Sequence, residues 1–160
     1  MELFASSQIK VHSLTGRITP ALVHAAFKAV KGNRGAAGID RVSLKMFEAN
    51  LAQNLDSILC DLKDGSFQPK PLRRHFIDKG NGKLRPLAIP AVRDRVVQEV
   101  LPRLLNPIFK PKSHDASFGF RPKRNCHMAL ERVLQEHENG FKTVLDADIS
   151  GFFDNLPHPV

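Results

Sequence analysis

The stretch 143–154, TVLDADISGFFD, constrains the fold of this chain more than any other, because it joins an apolar run to a pair of carboxylates. The apolar residues within 141–147 predict a strand that ends at Asp148. Asp146 and Asp148 are two residues apart and would share one face of that strand. A carboxylate at the end of a buried strand needs a cation nearby, and Mg²⁺ prefers such oxygen ligands. The pattern therefore indicates one half of a two-metal phosphoryl-transfer site. It is also compatible with an ordinary helix cap or turn.

The charge balance of the chain favours a polyanionic partner. Its 24 lysines and arginines outnumber 16 acidic residues and give a net charge of +8. This excess favours nucleic acid ahead of a membrane surface, although a generally basic globular protein remains an alternative. No apolar run is long enough to cross a bilayer, and the N-terminus lacks the features of a signal peptide. These observations predict a cytoplasmic protein with no membrane partner.

The spacing of apolar residues predicts four helices, each preceded by a capping residue. They begin after Thr19, Ser43, Asp94 and Asn125. The second helix is predicted to be long and to run to about Asp64, where Gly65 ends it. Pro102 falls inside the third helix and should kink or split it.

Two short runs around Gly80-Asn81-Gly82 predict a β-hairpin. The hairpin carries five cations that repel one another unless an anion lies across them, namely Arg73, Arg74, Lys79, Lys83 and Arg85. Arg85 precedes a proline, which biases its backbone towards an extended form and directs its guanidinium group. A planar guanidinium suits bidentate phosphate contact, although a solvated basic turn is an equally good interpretation.

Two further segments are rich in basic residues. The loop 31–41, KGNRGAAGIDR, can offer backbone N–H groups and charge to phosphate, or it can be a flexible turn. The segment 117–124, SFGFRPKR, places two aromatic rings beside three cations. Stacking surface next to positive charge is typical of a groove that binds nucleic acid.

Five segments in order resemble one family. They are GAAGID at 35–40, GKLRPLAIP at 82–90, RDRVVQ at 93–98, FGFRP at 118–122 and DISGFFD at 148–154. Together they resemble the reverse transcriptases of bacterial group II introns, also called intron maturases, over about residues 20–156. The resemblance implies an α+β fold in which helical fingers and a β-hairpin lead into the first strand of a polymerase palm, an incomplete right-hand polymerase fold. The implied regions are an N-terminal segment at 1–18, fingers at 19–140, and the first palm strand with its metal-site loop at 141–160.

The resemblance also implies roles for individual residues. Asp148 takes the catalytic, metal-binding position, with the backbone carbonyl of Ile149 as a second donor and Asp146 as a further candidate ligand. Phe153 takes the position of the bulky residue that excludes a sugar 2′-hydroxyl. The nucleotide-binding positions fall on Arg85 and Lys79, with Arg121 lining the template or nucleotide pocket. The remaining candidates for RNA contact are Arg34, Arg41, Arg73, Arg74, Lys83, Lys123 and Arg124; of these, Lys123 stands where the family commonly has glycine.

The function implied is that of an RNA-directed DNA polymerase that binds RNA template, intron RNA, DNA primer and dNTP with Mg²⁺. The alternatives are an RNA-binding maturase module without polymerase activity, or a truncated remnant of a reading frame. Retron and defence-associated relatives are not separated from intron enzymes by these motifs. The second aspartate pair of the family lies on a later palm hairpin and is not among these 160 residues. We therefore expect this chain alone to be inactive, to use Mg²⁺ only within a complete enzyme, and to self-associate through unpaired strand edges.

Overall fold

The computed structural model describes residues 13–78, 80, 82, 84–152 and 155–157, and shows the predicted α+β class. Its described helices and strands are α1 (Pro20–Gly32), α2 (Leu44–Ala49), α3 (Leu51–Asp64), β1 (Arg73–Asp78), β2 (Leu84–Ile89), α4 (Val92–Phe109) and α5 (Cys126–Glu138). The chain forms two compact units, of which the first ends at Lys112 and the second begins at Ser113. The boundary between fingers and palm at 140/141 stays a prediction. None of the helices described here is long and apolar enough to cross a membrane.

The predicted caps of α1 and α5 are confirmed. The Thr19 hydroxyl accepts a hydrogen bond from the Leu22 backbone N–H at 3.2 Å, and Pro20 occupies the first helical position. Asn125 caps α5 in the same way, accepting from the Met128 N–H at 2.9 Å. Each side chain satisfies one of the N–H groups that a helix start leaves without a partner.

The prediction of one long helix after Ser43 is wrong, because the chain breaks at Asn50 into α2 and α3. The break turns Phe47 into the core, where its ring stacks on Phe27 with 5.5 Å between centroids. The Asn54 amide donates to the Phe47 carbonyl at 2.8 Å and satisfies an acceptor that the break exposes. The predicted end of the helix is confirmed, since Gly65 adopts the left-handed conformation with φ 71°.

The predicted cap of α4 is wrong. Of the two outcomes predicted for Pro102, a split is wrong and a kink stays a prediction. Ala91, not Asp94, precedes the helix, and Asp94 lies in its first turn with only 3% of its surface exposed. Pro102 does not split α4, which continues through it to Phe109. The carbonyl of Gln98 that loses its partner lies on an exposed part of the helix, where water can satisfy it.

The core of the first unit lies among α1, α3 and α4. Its most deeply buried side chains are mainly valine, isoleucine and phenylalanine, namely Val23, Phe27, Ile58, Val92, Val96 and Val100. Each contributes roughly 1.5–3 kcal/mol when fully removed from water. This packing fixes the first turn of α4, and the hairpin leads directly into that turn through Pro90 and Ala91.

The second unit contains α5, none of whose residues is buried, and a stretch without regular structure. The strand predicted at 141–147 is not formed, and its residues are exposed. A strand needs partners for its N–H and C=O groups, and among the described residues no segment pairs with this one. Apolar side chains such as Val144 and Leu145 are 80% and 91% exposed as a result.

Candidate nucleic-acid interface

The register of the hairpin sorts its cations onto two faces. β1 and β2 are antiparallel, and Ile77 lies opposite Arg85, His75 opposite Leu87 and Arg73 opposite Ile89. Residues directly opposite each other share a face, and so do residues two apart along a strand. Arg73, His75 and Arg85 therefore lie on one face, which we call the Arg85 face. Arg74 lies on the other face.

Arg73, Arg74 and Arg85, the arginines in the described part of the hairpin, can meet an external anion. All described residues of 73–88 are exposed. Within the described ranges, no carboxylate pairs with Arg73, Arg74 or Arg85. Asp78 accepts a hydrogen bond from the Gly80 N–H at 2.8 Å and so helps to shape the turn. Lys79 and Lys83, which were predicted to contribute, lie outside the described residues.

The segment 67–72, which we call the lead-in to β1, is held to the rest of the unit by contacts of Lys70. Its backbone N–H donates to Asp94 Oδ2 at 3.0 Å, and its ammonium group pairs with Asp40 Oδ2 at 2.9 Å. Burial alone would raise the pKa of Asp40. The hydrogen bonds from Lys70 and the Val42 backbone N–H, with the charge of Lys70, outweigh burial and hold that pKa below its ordinary value.

Arg93 fastens the same lead-in from a second side. Its guanidinium group forms an ion pair with Asp61 and donates to the Gln68 carbonyl at 3.3 Å. It also lies 4.5 Å from the centre of the Phe67 ring, within range of a cation–π contact. The chain from 67 to 70 is therefore held against the first turn of α4.

The glycine-rich loop 33–41 packs on that turn as well. A Cβ on Gly38 would lie 2.5 Å from Ala91 Cα, so only glycine fits there. Arg95 Nη2 donates to the Ala36 carbonyl at 2.7 Å, while burial lowers the pKa of Arg95 against the opposing charge of Asp40. The loop is thus packed on the first turn of α4 at Gly38 and Ala36.

Two predicted RNA contacts of this loop are exposed and have unusual backbone conformations. Arg34 and Arg41 have φ angles of 49° and 57°, in the left-handed region that side chains seldom adopt. Neither side chain pairs with a carboxylate of the residues described here. Backbone strain of this kind often accompanies functional sites, because surrounding structure must hold it in place.

In the second unit, the predicted contacts Arg121 and Arg124 are used to build their own loop. Arg121 Nη1 donates to the carbonyls of His114 and Ser117 at 2.9 and 3.1 Å. Arg124 Nη1 donates to the Asp115 carbonyl at 2.8 Å, and its guanidinium lies 5.3 Å from the Phe118 ring centre. These bonds leave both groups less free for RNA than the arginines of the hairpin.

The same loop presents one aromatic ring and one cation outward. Phe120 is fully exposed with φ 54°, and Lys123 is exposed with φ 63°. The left-handed conformation explains why glycine suits the position of Lys123. An exposed ring beside a cation can stack on a nucleic-acid base while the cation meets its phosphate.

The described residues of the acidic stretch do not form a metal site by themselves. Asp146 and Asp148 are both exposed, and Asp148 Oδ1 accepts from the Ile149 backbone N–H at 2.8 Å, as a turn-forming aspartate does. Throughout the described part of the chain, no three metal-binding side chains cluster. Mg²⁺ prefers carboxylate and carbonyl oxygens and commonly keeps part of its water, so Asp148 and the Ile149 carbonyl are suitable donors but do not by themselves make a two-metal site. Phe153 lies outside the described residues.

Comparison with known proteins identifies the family. Residues 77–160, more than half of the chain, match the family described as reverse transcriptase (RNA-dependent DNA polymerase). The chain belongs to this family. It is 37% identical over 157 residues to protein YkfC of Escherichia coli (strain K12), covering 94% of this chain and 41% of that protein.

Further relatives of this reverse transcriptase chain carry intron names. It is 36% identical over 144 residues to the group II intron-encoded protein LtrA of Lactococcus lactis subsp. cremoris, covering 88% of the chain and 23% of that protein. It is 36% identical over 67 residues to nuclear intron maturase 1, mitochondrial, of Arabidopsis thaliana, covering 42% of the chain and 9% of that protein. The resemblance to group II intron reverse transcriptases and maturases is confirmed. The chain spans less than half the length of these curated relatives.

Sequence reasoning missed the residues that anchor the hairpin of this reverse transcriptase chain. Asp40, Lys70 and Asp94 bind one another or the lead-in to β1, and none was a predicted site residue. One signal was present in the sequence, namely an aspartate between two arginines, Arg93 and Arg95. The sequence analysis interpreted Asp94 as a helix cap, but in the structure it lies inside the helix and does not cap it.

Proposed function

We propose that this chain supplies the nucleotide- and nucleic-acid-binding fingers of an RNA-directed DNA polymerase of the group II intron type. The observation that carries the proposal is the Arg85 face of the hairpin. It presents two arginines and a histidine to solvent, with no carboxylate of the described residues to neutralise them. Guanidinium groups in such a setting bind phosphate oxygens in pairs.

The two faces of the hairpin receive different proposed roles. Arg85 binds phosphate groups, both those of an incoming dNTP and those of single-stranded RNA, while Arg73 extends the positive strip along the same face. Lys79, in the sequence of the turn, is a further candidate for nucleotide binding. Arg74 on the opposite face contacts the RNA backbone. This division is supported by the register, because a ligand lying flat on one face reaches only alternate residues of each strand.

RNA template or intron RNA contacts are proposed at the two strained loops. Arg34 and Arg41 in the glycine-rich loop contribute charge, and the exposed ring of Phe120 stacks on an unpaired base with Lys123 beside it. The backbone of each loop is held by hydrogen bonds from its own unit, so little backbone conformational entropy is lost when RNA binds.

Asp148 is proposed as one carboxylate of a Mg²⁺ site, with the Ile149 carbonyl and Asp146 as weaker candidates. When bound, Mg²⁺ would neutralise phosphate charge during nucleotidyl transfer. Because one or two carboxylates are too few for a two-metal site, and no three metal-binding side chains cluster among the described residues, we expect these 160 residues alone to bind nucleic acid without extending a primer.

A second candidate function is RNA binding without polymerisation. It is favoured by the loop cations, and two relatives are named as an intron-encoded protein and an intron maturase. The two candidates differ in what the Arg85 face binds, a nucleoside triphosphate or RNA alone.

The deciding experiment compares two ligands on the 160-residue chain. Fluorescently labelled single-stranded RNA and labelled dNTP are titrated separately with the unchanged chain and with Arg85→Ala. Weaker binding of dNTP by Arg85→Ala, with or without weaker binding of RNA, supports the polymerase fingers. Weaker binding of RNA only supports the second candidate, and equal binding of both ligands by the two proteins contradicts both.

A further inference from the structure

The segment RDRVVQ at 93–98 contains three consecutive charged residues to which the proposed function assigns no role. In the structure, Arg93, Asp94 and Arg95 form the first turn of α4, and each holds a different part of the first unit. Arg93 holds the chain at 67–68, and Arg95 holds the glycine-rich loop at Ala36. Asp94 holds the lead-in to the hairpin at Lys70.

The contact made by Asp94 has features of a dedicated anchor. Its side chain is buried, its Oδ2 accepts the Lys70 backbone N–H at 3.0 Å, and its Oδ1 is buried without a partner in the described residues. Lys70 lies between Pro69 and Pro71, which have no N–H groups. The Lys70 N–H is therefore the one backbone donor of this three-residue segment, and it is given to a charged acceptor, which makes a strong hydrogen bond.

Both strands of the hairpin consequently end on the same turn of α4. The lead-in to β1 reaches that turn through the bond between Lys70 and Asp94. β2 reaches it through the covalent chain, since Ile89 is followed by Pro90, Ala91 and the start of the helix. The direction in which the hairpin projects from the core therefore depends on Asp94, together with the contacts of Asp40 and Arg93, on one side and on Pro90–Ala91 on the other.

We propose that Asp94 is a positioning residue, which orients the Arg85 face towards its phosphate ligand through the Lys70 amide without touching the ligand. The inference rests on the proposed function of that face. It predicts that removing the acceptor at position 94 weakens binding only as far as the Arg85 face contributes to binding.

The test uses two substitutions of similar size that remove the same charge. Asp94→Asn keeps an amide oxygen that can accept from the Lys70 N–H, whereas Asp94→Leu has no acceptor. Binding of labelled single-stranded RNA and of dNTP by the 160-residue chain is measured for each, alone and combined with Arg85→Ala. We expect Asp94→Leu to weaken binding by about as much as Arg85→Ala, and Asp94→Asn to keep most of the affinity. In the Arg85→Ala background, Asp94→Leu should weaken binding clearly less than it does in the unchanged chain, because only Arg73 and His75 of the face remain, whereas independent sites would show the same effect in both backgrounds.

Hydrogen exchange of the Lys70 amide supplies a readout that does not depend on ligand. We expect slow exchange in the unchanged chain and in Asp94→Asn, and fast exchange in Asp94→Leu, while amides of the α1–α4 core stay protected. Lys70→Ala is the matched control, because it removes the ion pair with Asp40 but leaves the backbone donor in place.

Three outcomes would overturn the inference. If Asp94→Leu weakens binding by the same factor in the unchanged chain and in Arg85→Ala, the substitution acts through general destabilisation. An Asp94→Leu protein that binds as the unchanged chain does, while Arg85→Ala weakens binding, contradicts the role of Asp94 and leaves the proposed function standing. If Arg85→Ala itself binds as the unchanged chain does, the proposed function fails together with the inference.

Discussion

Removing the guanidinium of Arg85 should change how RNA binding depends on salt. Arg85 is exposed and has no carboxylate partner in the described chain, so its charge is available to release counterions from RNA. Each phosphate contact contributes roughly 0.7–0.9 to the slope of log affinity against log salt. Between 50 and 200 mM salt, a fourfold change, one contact therefore costs about threefold in affinity. The difference in RNA affinity between the unchanged chain and Arg85→Ala should therefore shrink by about threefold over this range.

The assay is fluorescence anisotropy of a labelled single-stranded RNA, titrated at four or more salt concentrations. Arg103→Ala provides the matched control, because it removes the same charge from an exposed arginine already paired with Glu99 at 3.0 Å. Its slope should equal that of the unchanged chain. Parallel lines for Arg85→Ala and the unchanged chain would show that Arg85 makes no phosphate contact. An equal change of slope in both variants would show that only net charge matters.

Three further predictions concern stability and base stacking. Asp40, whose pKa is lowered in the folded chain, stabilises the fold at pH values above the ordinary carboxyl pKa, and this contribution is lost as the pH falls through its folded pKa. In urea unfolding, the free energy of unfolding should therefore fall less between pH 7 and pH 3 for Asp40→Asn than for the unchanged chain. Gly38→Ala should lower stability by about 1–3 kcal/mol because its Cβ meets the Ala91 backbone, whereas Gly32→Ala, with open space around it, should not, as thermal unfolding can check. Phe120→Ala should weaken binding of single-stranded RNA by about 1–3 kcal/mol without changing the melting temperature, whereas Phe120→Trp should keep the affinity; equal affinities for both variants would contradict stacking.

Local sequence signals predicted the elements whose stability depends on neighbouring residues. Thr19 and Asn125 cap helices as expected, and the hairpin forms around its glycines, because caps and tight turns depend on the few residues that make them. The break at Asn50 was missed because it depends on Phe47 reaching a distant partner, Phe27. Tertiary packing of that kind leaves no trace in the spacing of apolar residues.

The candidate site divides in a similar way. The sequence identified the basic residues of the hairpin but not their distribution over two faces, which only the pairing of Ile77 with Arg85 shows. The strand predicted before Asp148 requires a partner strand, and apolar spacing reports only that a segment could join a sheet. The role of Asp94 was missed because its acceptor function depends on Lys70, which is 24 residues away.

Because both strands of the hairpin are held at the first turn of α4, a small rotation at that turn would displace the tip of the hairpin. Each of its six-residue strands extends about 20 Å at about 3.3 Å per residue. A tilt of about 10° at that turn would sweep the tip through about 3–4 Å over that length. Since a displacement of about 1 Å at a reacting group can already reduce a rate by about 100-fold, rigidity at that turn matters more than rigidity at the tip. A small change in backbone position beside Lys70 thus becomes a larger displacement at the hairpin tip. Substitutions that stiffen the segment between Pro69 and Pro71 should therefore alter the position of the whole hairpin.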